Sequence, residues 1–139
     1  MYKRILVAVE HSEADRTIID HVKPLARMCG ASLVLVHVAD GWAARAFDEL
    51  KLRESKEIVE DREYLENLRV SLAAEGFDVQ SRLAMGDPAT ELIRAAEAEH
   101  VDLVAMATHG HHFLKDIVLG ATADKVRHEL KVPVLLLRR

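Results

Sequence analysis

Four short apolar runs that lack polar alternation, kept apart by helical stretches, restrict this chain to very few folds. They are residues 3–9 (K-R-I-L-V-A-V), 32–38 (S-L-V-L-V-H-V), 102–106 (D-L-V-A-M) and 132–137 (V-P-V-L-L-L). Strands that are apolar on both faces belong inside a parallel sheet covered by helices on either side. A further run, residues 77–84, alternates apolar and polar and fits a half-exposed edge strand. Between the strands, Ile18, Ile19, Val22, Leu25, Ala26 and Cys29 recur at helical spacing, with Ser12 as the N-cap and Gly30 as the stop. Residues 48–75 are rich in Glu, Lys, Arg and Leu and predict one long amphipathic helix ending at Gly76. A Gly86-Asp87-Pro88 turn opens a helix over 89–99, with Asp87 as its cap and Pro88 in its first turn. A last helix is predicted over 121–130. The expected fold class is α/β, a single-domain open five-stranded parallel sheet of order 3-2-1-4-5 with helices on both faces.

The fifth strand is apolar and is expected at a sheet edge, which native proteins do not leave bare. Pairing of the strand from Val132 to Leu137 with its copy in a second chain would give a two-fold homodimer. Pro133 removes one donor N–H, so that pairing is partial or uses side chains.

Composition narrows the function classes. The net charge is -4 and aromatic residues make up 4% of the chain, which argues against nucleic acid as the main partner. No apolar run approaches the ~20 residues of a membrane span. Cys29 is the sole cysteine and cannot form an internal disulfide, and with strand-like sequence by Tyr2 no signal peptide is expected. A cytoplasmic protein is expected. Cys29 itself reads as a small buried residue near a helix end.

In an open parallel sheet, ligands bind beyond the carboxyl ends of the strands where strand order reverses. Order 3-2-1-4-5 puts that crevice between the first and fourth strands. Two loops would face each other there, residues 8–12 and 107–112. The second leads through Gly110 to Gly120 at a helix mouth, an arrangement whose amide N–H groups and dipole favour an anion. The chain has neither a Walker A loop nor a G-x-G-x-x-G.

Six segments, taken together and in order, resemble the universal stress protein family. They are K-R-I-L-V-A-V-E-H-S at the start, L-V-L-V-H-V, M-G-D-P, D-L-V-A-M-A-T-H-G, L-G-A-T-A-D-K-V and the terminal V-P-V-L-L-L. The resemblance spans residues 1–139 as one universal stress protein domain of the adenine nucleotide alpha hydrolase-like kind. It implies a cytoplasmic homodimer joined through the last strand. The family divides into members that bind ATP and members that do not. The ATP-binding pattern is Gly, two residues, Gly, nine residues, Gly, then Ser or Thr. Here it reads Ala107-x-x-Gly110-x9-Gly120-Ala121, so two marked positions depart. If position 107 needs a positive φ, alanine costs about 1 kcal/mol there. Ala121 lacks the hydroxyl that would bond a phosphate, and Thr122 is turned away by roughly 100° of helix.

What the resemblance implies for the site is a nucleotide held largely by main chain. The residues are Ala8, Val9 and Glu10 after the first strand, with Glu10 standing where the family usually has Asp. Val38 would face the adenine and Gly86 would lie near the ribose. Met106, Ala107, Thr108, Gly110, His111, Gly120, Ala121 and Thr122 complete the set. The ligand implied is ATP or a related adenine nucleotide, with or without magnesium.

Three functions follow. The first is a nucleotide-binding dimeric regulatory or stress-response protein. The second is a dimeric signalling adaptor of the same fold without nucleotide, resting on Ala107 and Ala121. The third is a metal-dependent hydrolase using His109, His111 and His112, with His11 across the crevice, since imidazoles suit transition metals. Glu10 with His11 or His109 could form a carboxylate–imidazole pair, but the sequence supplies no third member of a catalytic set. No catalytic residue is assigned, and any ATP hydrolysis is expected to be weak. Met85 and Met106 are expected in the core or facing adenine, and Trp42 and Phe47 packed on the long helix.

Overall fold

The computed structural model describes residues 1–40, 51–108 and 121–138. Its elements are β1 (Arg4–Ala8), α1 (Ala14–Cys29), β2 (Ser32–Asp40), α2 (Lys51–Ala74), β3 (Val79–Gly86), α3 (Pro88–Ala98), β4 (Leu103–Ala107), α4 (Ala121–Glu129) and β5 (Val134–Leu137). The five strands form one sheet in the order β3-β2-β1-β4-β5, every pair parallel. The architecture is the one that the alternation of runs predicts, and the strand order is the expected 3-2-1-4-5.

Strand pleating splits the core in two. Ile5, Val7, Leu33, Leu35, Leu103 and Ala105 point to one face, under Ile18 and Val22 of α1 and Leu65 and Leu72 of α2. Leu6, Val34, Val36 and Val104 point to the other, under Leu92, Ala95 and Ala96 of α3 and Val126 of α4. Burying each such aliphatic side chain is worth about 1.5–3 kcal/mol. The central strands are therefore apolar on both sides because both sides are covered.

The β1–β4 pair, which frames the predicted crevice, is pinned at its opposite end by Asp102. Its carboxylate accepts the N–H groups of Lys3 at 2.8 Å and Arg4 at 3.0 Å. Burial pushes the Asp102 carboxyl up, but these backbone donors outweigh it and hold the group below its ordinary range.

Several boundaries differ from expectation. The residue before α1 is Glu13, which makes no side-chain cap; Ser12 instead accepts the Asp15 N–H on its carbonyl at 3.1 Å and the Ala14 N–H on its hydroxyl at 3.3 Å. α1 also carries Pro24 in its interior without ending there. β3 starts and ends two residues later than expected, so Gly86 closes the strand opposite Asp40 and is not only a turn residue. β5 begins at Val134, beyond Pro133, which fits the missing donor. Asp87 caps α3 as expected, accepting the Thr90 N–H at 3.0 Å with Pro88 in the first turn. Cys29 is half-buried and packs on the core's edge. Met85 is 44% exposed, not core, whereas Met106 is buried. Trp42, Phe47 and the start of the long helix at 48–50 lie outside the described residues.

Candidate functional site

The connection leaving β1 runs toward β2, and the one leaving β4 runs toward β5, so strand order reverses between β1 and β4. Ile5 pairs with Leu103 and Val7 with Ala105, which brings the carboxyl ends of these two strands side by side. Ala8, Val9 and Glu10 leave from one; Met106, Ala107 and Thr108 leave from the other. Val38 and Gly86 lie at the carboxyl ends of β2 and β3, further along the same edge. Thr122 sits in the first turn of α4, after Ala121. Gly110, His111 and Gly120 lie outside the described residues, as do His109 and His112.

The turn after β1 is built by a residue that the motif reading overlooks. Asp15 is 2% exposed, and its carboxylate collects three backbone donors from the turn. Glu10 N–H reaches Oδ1 at 2.7 Å; His11 and Ser12 N–H reach Oδ2 at 2.8 and 3.3 Å. Tyr64 of α2 adds its hydroxyl to Oδ2 at 2.5 Å. Burial first, then this bond and the Asp15 charge, push the Tyr64 phenol well above its ordinary range. The sequence carried a signal for Asp15: Ser12-x-x-Asp15 has the form of a capping box, in which the acid reaches back to the N-cap amide. An aspartate's short arm here gathers two further amides.

This arrangement corrects one expectation. The amides of Glu10, His11 and Ser12 point at Asp15 and are not offered to an anion in the crevice. From this turn the crevice receives side chains. Glu10 is half-buried, with Ser12 Oγ donating to its Oε2 at 3.2 Å.

His11 is corrected as well. Its φ of 60° turns it into the left-handed region. Its ring stacks on Tyr64 with centroids 4.1 Å apart, and its Nδ1 donates to Asp61 of α2 at 2.7 Å. It therefore pairs with Asp61, not with Glu10. Among the described residues no group of three His, Cys, Asp or Glu side chains is placed to hold a metal.

Across the crevice, Ala107 is a strand residue of β4, in register with Leu137. Among the described residues only His11 and His100 take a positive φ without being glycine. Alanine at 107 thus carries no left-handed strain, and the conditional cost attached to it does not arise. Only its methyl matters. Thr108 follows, its N–H bonded to the Leu137 carbonyl at 3.0 Å. Its hydroxyl oxygen is buried and has no hydrogen-bond partner among the described residues. Gly86 takes a φ of 136°, and a Cβ there would meet Glu91 at 3.2 Å, so two constraints favour glycine.

The model of the universal stress protein family matches residues 1–138. The chain belongs to the universal stress protein family. Universal stress protein MJ0577 of Methanocaldococcus jannaschii is 29% identical over 100% of this chain and 96% of its own length. The solved structure of MJ0577 superposes with a TM-score of 0.84, at 31% identity, covering 100% of this chain and 97% of that one. Two further solved structures share the fold. A universal stress protein from Archaeoglobus fulgidus in complex with dAMP has a TM-score of 0.70 at 22% identity, covering 97% of each chain. A universal stress protein in complex with cAMP has a TM-score of 0.64 at 20% identity, covering 99% of this chain and 97% of that one.

Proposed function

We propose that this member of the family is a regulatory protein that binds an adenine nucleotide, ATP foremost, in the crevice between β1 and β4. The observation that carries the reading is the adjacency of the two carboxyl ends at the reversal of strand order, with the turn bearing Glu10 fixed by Asp15. Relatives of the same fold hold dAMP and cAMP, which supports the adenine nucleotide class. Glu10 supplies a carboxylate for the nucleoside end, the end of β2 at Val38 an edge for the base, and Gly86 room near the ribose. Ala8, Val9, Met106, Ala107 and Thr108 form the floor. Phosphates fall to the chain from Gly110 through His111 to Gly120, Ala121 and Thr122, because the amides of the β1 turn are already taken. Magnesium would ride on those phosphates. The protein acts in the cytoplasm as a homodimer through the strand from Val132 to Leu137, with Leu136, 37% exposed, on that edge.

A second reading is an adaptor of the same fold that works without nucleotide. One observation favours it: Asp15 withdraws three amides that a phosphate could have used. Calorimetry with ATP, with and without magnesium, and adenine absorbance in the denatured supernatant decide between them. Heat of binding with a Kd below a millimolar supports the nucleotide reading; no heat at millimolar ATP supports the adaptor. A single species of monomer mass in sedimentation at tens of micromolar protein would overturn the dimer.

A further inference from the structure

The end of β2 holds a polar cluster that the crevice does not use. His37 is 9% exposed, and its Nδ1 lies 2.9 Å from the Val9 carbonyl oxygen. A carbonyl only accepts, so Nδ1 carries a hydrogen. A neutral imidazole has one N–H, which leaves Nε2 as a bare lone pair. That nitrogen faces Oδ2 of Asp61 at 3.4 Å. The other oxygen of the same carboxylate takes His11 Nδ1 at 2.7 Å. The two imidazoles stand edge to face, 6.5 Å apart. Neutral His37 therefore sets two acceptors against each other. Protonated His37 keeps its bond to the Val9 carbonyl and turns a charged N–H toward Asp61 3.4 Å away, supplying the carboxylate with a counter-charge.

The surrounding groups leave that task to a histidine. The β1 turn brings Glu10 and His11, α1 brings Asp15, and α2 brings Asp61 and Tyr64. On β3 the neighbour in register with His37 is Leu83, an apolar residue packed on the core. Among the described residues neither Asp15 nor Asp61 has a lysine or arginine as ion-pair partner, and the Asp61 side chain is 19% exposed. A carboxylate at that depth is costly without a paired charge.

We infer that His37 is a proton-operated latch for α2: its second proton ties Asp61 to β2, and loss of that proton loosens the helix there, leaving Asp61 with its bond from His11 alone. The helix is built for partial release. Its C-terminal half is anchored by Leu65, Leu68 and Leu72 against the core. From residue 56 to 64 no side chain is fully buried. Among the described side chains of that half, Asp61 and the Tyr64–Asp15 bond make the ties to the rest of the fold; Asp61 keeps its bond from His11 in either state, and only its tie to His37 depends on a second imidazole proton. Release therefore starts at residues 56–61 and stops short of Tyr64. The latch stands whether or not the crevice takes a nucleotide.

The test is ring-nitrogen NMR of the full chain from pH 5 to pH 9, with amide hydrogen exchange, corrected for intrinsic rates, on the same samples. The expected result is that His37 has both nitrogens protonated at the acidic end and only Nδ1 at the alkaline end. Amide protection over residues 56–61 drops about tenfold across that step, while protection around Leu72 does not change. Asp61→Asn, whose amide can donate to a neutral Nε2, holds the helix at both extremes; His37→Gln removes the step. The wild-type titration needs neither variant to fold. A single ring proton on His37 throughout, a His37 titration with flat protection over 56–61, or a stoichiometric divalent metal occupying Nε2 would each overturn the latch.

Discussion

The Tyr64 phenol donates to Oδ2 of Asp15 over 2.5 Å, tying α2 to the turn that opens the crevice. The same carboxylate holds the amides of Glu10, His11 and Ser12, so one buried side chain shapes the turn and joins it to a residue of α2 that lies 49 positions further on. Removing it affects the turn, the start of α1 and the packing of α2 together.

Asp15→Ala is therefore expected to be among the costlier single substitutions in this chain. It leaves three backbone donors and a phenol without their acceptor, and hydrogen bonds to a charged group are worth about 1.5–3 kcal/mol each but do not add. A loss of about 3 kcal/mol is expected, read as a lower urea midpoint at unchanged slope. A loss under 1 kcal/mol would mean that water replaces the carboxylate and the turn keeps its shape unaided.

Tyr64 gives a pH signature. Its folded-state affinity for the proton is raised above that of the unfolded chain, whose phenol titrates near the ordinary value of 10.0. The native state then binds more protons than the unfolded state above that pH, so stability is intact below pH 10 and falls as pH rises beyond it. Unfolding curves from pH 8 to 11.5 should show the wild type losing stability more steeply above pH 10 than Tyr64→Phe, with parallel curves below. Parallel curves at every pH would show that the phenol ionises as readily in the fold as in the unfolded chain.

The sequence displayed the sheet better than the site. Apolar runs such as L-V-L-V-H-V mark central strands because burial on two faces leaves no room for alternation, and that property is local. The edge position of β3 was visible for the same reason. Asp15, Tyr64, His37 and Asp61 were not visible as a unit, because they come from three elements and meet only through the crossover. His37 in particular looks like one more residue of an apolar strand until the Val9 carbonyl and Asp61 are placed beside it. The motif at 107–121 was legible as a pattern, but which of its conditions applies at Ala107 was not: the backbone there is extended, which residue spacing cannot reveal.

Asp87 offers a check on α3, whose N-terminus faces the last helix. Its carboxylate accepts the Thr90 hydroxyl at 2.7 Å and the Thr90 N–H at 3.0 Å, with Lys125 3.8 Å away. These contacts, the Thr90 hydroxyl first, hold its carboxyl below the ordinary 3.8. A lowered folded value means stability that is present above pH 3.8 and is lost as pH falls through the folded value. Asp87→Ala should cost about 1 kcal/mol at pH 7, the usual worth of a cap. The gap between variant and wild type should narrow below pH 3.8. A gap that is constant with pH would assign the effect to helix propensity and not to the cap.

The two departures from the ATP-binding pattern make separable predictions within the nucleotide reading. Ala121→Ser puts a hydroxyl on the first residue of α4, where the helix N-terminus favours negative charge. A charge-assisted bond to a phosphate oxygen of about 1.5–3 kcal/mol corresponds to at least a tenfold rise in ATP affinity. Ala107→Gly acts differently. The residue sits in β4 without backbone strain, so glycine relieves no strain and gains only the space of a methyl. It should weaken the strand by roughly 0.5–1 kcal/mol while raising affinity less than the serine does. Calorimetry with ATP and urea unfolding on both single variants check this. A serine variant that binds no tighter than the parent would place the phosphates away from the head of α4, and a glycine variant with the larger gain would make crowding by the Ala107 methyl the dominant defect.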